Sequence, residues 1–366
     1  MAYSTPATEL ILKKWETNYF MEYVRESGFK PYMGAGPNNP IVVKKQLIQG
    51  GQVITIPLVT ALNGPNVGTG TLTGNEEAVG NSGYDLKPYW HRYAVVTKKS
   101  DEQNSVIDLL NAGRDLLKIR DLDDMRDSII NSLSSVVENS GSYTDDPGHA
   151  KEVFFSEATV AQRNTWAAAN RYRILFGNAE ANYNATFLTG TGNIDTTNDT
   201  FTTASATLLK MMARRRIRAS NIPSLRPLRT GDQGREYFLC FHGPETFKNF
   251  KASMTTINLD GRVRNPEANP IFQDGDLEFD GVIHREIPEI GNYGAIGNGT
   301  ATVYPVYFMG AQALGMAWGQ TTKSTTRDAT DYGFIKGVGV ESLWSVEKLR
   351  YNGMDHGMIT GLFAAT

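Results

Sequence analysis

The sequence predicts an α+β chain built around two extended appendages and one long helix. Three observations carry that prediction. A β-branched run from Gln52 to Thr60 is broken by Pro57 and followed by a glycine-rich stretch. Apolar residues follow one another from Val106 to Leu117 and then step by three or four from Leu122 to Val136, the period of a helix. Short apolar runs such as Glu236–Phe241 and Thr302–Met309 read as strands in the second half.

The bulk numbers fit this picture. The 366 residues are 40% hydrophobic and 20% charged, enough apolar material for a sizeable core and too much for a disordered chain. That length suits two packed regions with extensions. The net charge of -3 lacks the basic excess of a protein that grips duplex nucleic acid, so any such contact is expected to be local. A near-neutral subunit also tolerates crowding with many copies of itself. The single cysteine, Cys240, excludes an internal disulfide, and its place in Tyr237–Phe241 marks it as a small buried hydrophobe. Met1–Pro6 lacks the basic-then-apolar pattern of a secretory signal, and no run approaches 18 apolar residues, so no membrane contact is expected.

Residues 1–48 are expected to form an N-terminal arm. Glu9 to Arg25 reads as a short helix, and Phe29–Pro40 holds Pro31, Pro37 and Pro40 with Gly34 and Gly36, which forbids regular structure. Such an arm cannot bury Trp15, Tyr19, Phe29 and Tyr32 by itself. They are expected on another surface, this subunit's or a neighbour's, and are taken as inter-subunit contacts.

Residues 49–99 are expected to form an extended β-ribbon, with strands at Gln52–Thr60 and Tyr89–Thr97. Pro57 removes a ladder donor, which confines its strand to an edge or a two-stranded ribbon. The intervening loop holds Gly64, Gly68, Gly70, Gly74, Gly80 and Gly83, and loops this long are usually functional. A two-stranded ribbon does not hold itself together in water, so it needs a partner surface. Ile54, Ile56 and Leu58, the loop residues Leu72, Glu76 and Glu77, and Trp90 with Arg92 are expected to meet a neighbouring subunit.

Residues 100–138 are predicted as one long helix, opened by a capping pair at Ser100 and Gln103. Gly113 and the Asp121–Asp124 stretch are expected to bend it, with the aspartates on a solvated face. Residues 139–156 read as a turn-rich connector. Glu157–Phe176 reads as a helix capped by Gly177, Asn178–Thr203 as a loop, and Ser205–Ser220 as a helix. Pro244 opens a short helix with Phe247 and Phe250 on one face, and Gly333–Arg350 supplies a late strand.

A search for chemistry finds none. The histidines at 91, 149, 242, 284 and 356 have no metal-binding spacing and no cysteine pair exists, which argues against a dedicated metal site or cofactor. No nucleophile elbow or phosphate-binding glycine loop occurs. Asp274, Asp276, Glu278 and Asp280 read as a solvated acidic cluster lacking the calcium-loop pattern. Asp280, His284 and Glu286 lie close enough along one segment to imagine an acid–base set, but chance proximity explains them better. Arg214, Arg215, Arg216 and Arg218 form a basic run. It reads as a helix end or an inter-subunit arginine–carboxylate contact, with a DNA contact as the alternative.

The order of segments resembles a known family. Gln52–Val59, the loop with Leu72–Glu77, and Tyr89–Thr97 are followed by Tyr237–Pro244, Phe247, Asn269–Phe272, Gly281–Ile283, Glu286, Met309–Ala313 and Asp331–Phe334. In this order they resemble the major capsid proteins of N4-type tailed bacteriophages. The resemblance spans roughly residues 45–350, least well over 139–236. It implies an HK97-like capsid fold: arm 1–48, extended loop 49–99, peripheral domain 100–154 with the long helix as its spine, axial domain 155–330, and strands 331–366 returning to the periphery. It implies pentamers and hexamers around double-stranded DNA, in a virion assembled in the host cytoplasm. The implied partners are a portal, scaffolding or decoration proteins, and packaged DNA touched non-specifically. Two other readings stay open at this point: a tail-tube or decoration protein, and an enzyme of unrecognised class.

Overall fold

The structure, a computed structural model, describes residues 28–45, 53–59, 62, 64, 66–78, 81–104, 109–142, 150–217, 222–230, 234–260, 277–351 and 353–365. The expected N-terminal helix, with Trp15 and Tyr19, lies outside them.

In chain order the first half supplies β1 (Met33–Gly34), β2 (Ile41–Lys45), β3 (Ile54–Val59), β4 (Asn81–Leu86), β5 (Tyr89–Lys98), α1 (Lys99–Asn104), α2 (Leu109–Leu133), β6 (Ser135–Ser142) and β7 (Ala150–Phe154). Next come α3 (Val160–Ala169), β8 (Ile174–Phe176), α4 (Phe187–Thr191) and α5 (Thr203–Arg214). The rest holds β9 (Arg229–Thr230), β10 (Glu236–His242), α6 (Pro244–Asp260), β11 (Leu277–Phe279), β12 (Val282–Glu286), β13 (Val303–Met309), β14 (Leu314–Thr330), β15 (Ile335–Lys348), β16 (Arg350–Tyr351), β17 (Met354–Asp355) and β18 (Met358–Ala364). Helices and sheets are mixed, the α+β class the sequence predicts.

Two sheets organise the molecule. The first has five strands in the order β1-β2-β14-β15-β5, with β14–β15 and β15–β5 antiparallel and β2 parallel to β14. Helix α2 lies across it. Leu117 meets Val340, Tyr93 and Val95, while Met125, Ile129 and Leu133 join Trp318, Trp344 and Val346 in the main core. Gly113 permits this approach, because a Cβ there would lie 2.9 Å from Val95. The second sheet has seven strands, in the order β11-β12-β10-β13-β18-β8 with β9 paired to β10. Period-2 alternation splits β10 between two cores. Leu239 and Phe241 face the core shared with the first sheet, and Phe238 and Cys240 face helices α5 and α6.

Several expectations change. The return strand of the ribbon is β4, paired with β3 from Ile54↔Leu86 to Val59↔Asn81, whereas Tyr89–Lys98 is the edge strand of the five-stranded sheet. Tyr84 and Leu86 carry the inward alternation of β4, hidden in the sequence by the glycines and asparagines before them. The long helix is described in two segments, and its strongest part stops at Leu133. Val136 and Val137 belong to β6, as their β-branching favours. The expected connector after them is the hairpin β6–β7. Ser100 lies inside α1 rather than at its cap, and its hydroxyl donates to Asp101.

Asp121 is buried, which overturns the solvated reading of that stretch. The helix after Glu157 ends at Ala169, and Gly177 follows strand β8 instead of capping a helix. The helix expected to end at Ser220 stops at Arg214. The segment 155–330 gives its last seventeen residues, β14, to the five-stranded sheet, while β18 returns to the seven-stranded one. Strands β2 and β14 escaped prediction, and β18 was expected only as part of the strands over 331–366: β14 is rich in threonine and β18 is buried at every position, so neither alternates. Among the described residues no helix is long and apolar enough to cross a membrane.

Candidate assembly surfaces

The ribbon divides its two faces cleanly. Ile54, Ile56, Tyr84 and Leu86 turn inward and form one cluster with Ala317 and Leu349. The strand opposite them is open at Gly315, where a Cβ would lie 2.9 Å from both Ile56 and Leu86. Ile54, Ile56 and Leu58, expected to reach a neighbour, are therefore buried in their own subunit. Phe29 and Tyr32 are corrected in the same way. Both are buried, and both set their rings edge-on to Phe241, at 5.0 and 5.6 Å.

Among the residues the ribbon leaves outside are three large apolar ones. Val59, Leu62 and Leu72 are 72%, 56% and 69% exposed. Glu76 and Glu77 serve the loop itself: the Gly74 N–H donates to Glu76 at 2.7 Å, and the Gly64 N–H donates to Glu77. On β5 the even positions point out, so Trp90 and Val96 are half exposed with exposed Arg92 between them. The odd positions His91, Tyr93 and Val95 face the spine helix.

The basic run closes on its own chain. Arg214 lies in the last turn of α5 with its Nε 2.6 Å from Glu236, and Arg215 donates two 2.7 Å bonds to Glu180. Arg216 donates to the Leu62 carbonyl at 3.3 Å, near the base of the loop. Arg218 lies outside the described residues.

The residues imagined as an acid–base set do not meet. Asp280 pairs with Lys210 at 2.9 Å, while His284 is buried and its Nδ1 lies 2.8 Å from Nε2 of His242. Of the acidic cluster, Asp274 and Asp276 lie outside the described residues. Cys240, His242 and His284 come together, with donor atoms within 4.8 Å of one another. Their sequence spacing gave no sign of this, because strand pairing places Cys240 opposite His284. Burial pushes the Cys240 thiol up and both imidazoles down, His284 to about 3.

A second buried polar cluster sits where the ribbon, the β6–β7 hairpin and the end of β15 converge. Arg350 contacts Glu152 at 3.3 Å and Asp355 at 3.2 Å, and Lys348 contacts Asp355 at 3.2 Å. The Ser135 hydroxyl donates to Glu152, and its carbonyl accepts from both Lys348 and Arg350. Glu347 lies beside it, 3.5 Å from the Lys87 N–H at the foot of the ribbon. Burial, then the charge of Glu152, pushes the Glu347 carboxyl up to about 8. The sequence signal was four charged residues, Glu347, Lys348, Arg350 and Asp355, within 345–355, which reads ordinarily as a solvated edge.

Comparison with known proteins follows this geometry. The family model described as phage capsid protein matches residues 5–362. The capsid subunit of cyanophage Pam1 is 33% identical, with all of this chain and 99% of that one covered at a TM-score of 0.82. The capsid of Ralstonia phage GP4 is 20% identical, covering 93% and 91% of the two chains at a TM-score of 0.68. The capsid of Helicobacter pylori bacteriophage KHP30 is 13% identical, covering 93% and 92% at 0.65. The last two likenesses bear on the fold alone. No curated protein matches.

Proposed function

This chain belongs to the phage capsid protein family, and from that footing we infer that it is the major capsid protein, which self-assembles into the icosahedral head. The finer reading is that identical subunits form pentamers and hexamers around double-stranded DNA, joined by the ribbon tip and the outward face of β5. One observation carries it. The inner face of the ribbon is satisfied within the subunit, whereas Val59, Leu62 and Leu72 stand in solvent at its end. Fully burying such a side chain on a neighbour gains about 1.5–3 kcal/mol, offset by the cost of ordering the loop. Many modest contacts then add through the closed geometry of a shell.

The role is read as structural rather than enzymatic, supported by the capsid family match and the likeness to the cyanophage capsid subunit. The arm is assigned the same bridging role through Trp15 and Tyr19. Contact with packaged DNA is non-specific and weak, in keeping with a net charge of -3 and with Arg214 and Arg215 held by carboxylates. A portal at one vertex, scaffolding or decoration proteins, and assembly in the host cytoplasm complete the proposal. Sedimentation of the purified chain over a range of concentrations tests it. Species of shell or capsomer size support the reading, and a concentration-independent monomer or dimer refutes it.

A further inference from the structure

The seven-stranded sheet holds a donor set that shell building does not use. Strands β10 and β12 run parallel with Cys240 opposite His284 and Phe241 opposite Arg285. Alternation puts Cys240 and His242 on one face of β10, the face covered by α5 and α6. His284 meets them there from the neighbouring strand, so the three side chains converge from two adjacent backbones that fix their positions. Their donor atoms lie within 4.8 Å of one another, and all three residues are 0% exposed.

The surroundings are aromatic. The His242 ring lies 4.7 Å from Phe201 and 5.9 Å from Phe250, and the His284 ring 4.1 Å from Phe250. The only hydrogen bond of the two imidazoles among the described residues is the 2.8 Å bond between them. Between neutral rings that bond holds one proton. The remaining nitrogens, Nδ1 of His242 and Nε2 of His284, are then one N–H and one bare lone pair, both buried without a partner. What supports an ion is the way the donors face one another: a cation seated between the rings would take the place of the 2.8 Å hydrogen bond, held by the facing nitrogens, His242 Nε2 and His284 Nδ1, and by the Cys240 sulfur.

We propose that Cys240, His242 and His284 form a buried binding site for one thiophilic d10 metal cation, taken up as the chain folds. A thiolate with two imidazoles is a donor set that selects Cu+ or Zn2+ over harder ions. Binding releases the thiol proton to solvent, so the site becomes a cation held by one anionic sulfur and two neutral nitrogens. Charge favours Cu+. With one thiolate the sum is then zero, whereas Zn2+ leaves one positive charge in a phenylalanine-lined interior. The ion would pin β10 to β12, stabilising the sheet from within.

The full chain is expressed in medium supplied with Zn2+ or, under reducing conditions, Cu+, and isolated as assembled. It is washed with chelator and its metal content measured beside that of Cys240→Ser and His284→Asn. About one ion per chain is expected in the wild type, reduced more than about tenfold in either variant with the circular dichroism unchanged. The arm that fills the site identifies the ion. X-ray absorption on the wild-type protein stands independent of whether the variants fold, and should show one sulfur and two nitrogens around the metal. Folded wild type that holds no metal from either supply, metal retained equally by both variants, or an all-oxygen coordination shell overturns the proposal.

Discussion

His91 Nδ1 lies 2.7 Å from Oδ2 of Asp124, and this contact ties the edge strand β5 to the spine helix α2. The His91 ring also stacks on Trp344 at 3.8 Å, with an angle of 2° between the planes. One side chain therefore joins the helix, the edge strand and its neighbour β15 beneath the exposed face that carries Trp90 and Arg92. Burial alone would raise the Asp124 carboxyl, but the hydrogen bond and charge of His91, helped by Tyr93 and Arg120, hold it below the usual carboxylate range. Asp124→Ala should cost about 1.5–3 kcal/mol in denaturant unfolding, the worth of a hydrogen bond to a charged group.

The sign of its pH dependence follows. A carboxyl held lower in the folded chain contributes fully above the ordinary carboxylate range, and that contribution is lost as pH falls through the folded value. Wild-type melting temperatures should therefore drop on the acid side, and Asp124→Asn should flatten that drop.

Glu347 behaves in the opposite sense. Its carboxyl is held up at about 8, so between the ordinary carboxylate range and about pH 8 the folded chain keeps a proton that the unfolded chain has released. Stability should fall as pH rises through that window and level off above it. Glu347→Gln keeps an acceptor for the Lys87 N–H, and should raise the melting temperature near neutrality and remove the slope. Equal slopes in wild type and variant would show that Glu347 is not the titrating group.

Gly315 sets how closely the ribbon lies against the sheet. A side chain there meets Ile56 and Leu86 at 2.9 Å and Leu349 at 3.0 Å. Gly315→Val should lift the ribbon foot and destabilise the subunit by about 1–3 kcal/mol, the usual cost of overpacking. The measurement is unfolding by denaturant, with hydrogen exchange over β3 and β4 to locate the loosening.

Val59→Asp and Leu72→Asp place charges at the exposed end of the ribbon, where they disturb nothing within the subunit. The unfolding free energy should stay within about 0.5 kcal/mol of wild type, as for surface substitutions generally, while assembly yield falls. Comparable destabilisation and loss of assembly would place these residues in the fold instead.

Much of this architecture was legible where periodicity was strong. Leu122, Met125, Ile129 and Leu133 step along α2, and Ile54, Ile56 and Leu58 alternate along β3. The return strand was misplaced because Tyr84 and Leu86 are too few to announce an alternation beside so many glycines. Strand β14 was missed because its outer half, from Thr321 to Thr330, is polar on both faces, and its pairing with β15 is fixed from outside its own sequence. The buried sites were the least legible. Cys240 and His284 are 44 positions apart and meet only through strand register, which no local pattern encodes. Phe29 and Tyr32 were read as apolar residues in need of cover, correctly, but only the fold shows that Phe241 provides it.

The central claim is that the ribbon tip joins subunits into a closed head. Electron microscopy and sedimentation of the wild type beside a variant lacking residues 66–78 test it most directly, since that deletion spares both ribbon strands. Closed shells from the wild type, and folded subunits or loose capsomers from the variant, are the predicted result. Normal shells from the variant would contradict it.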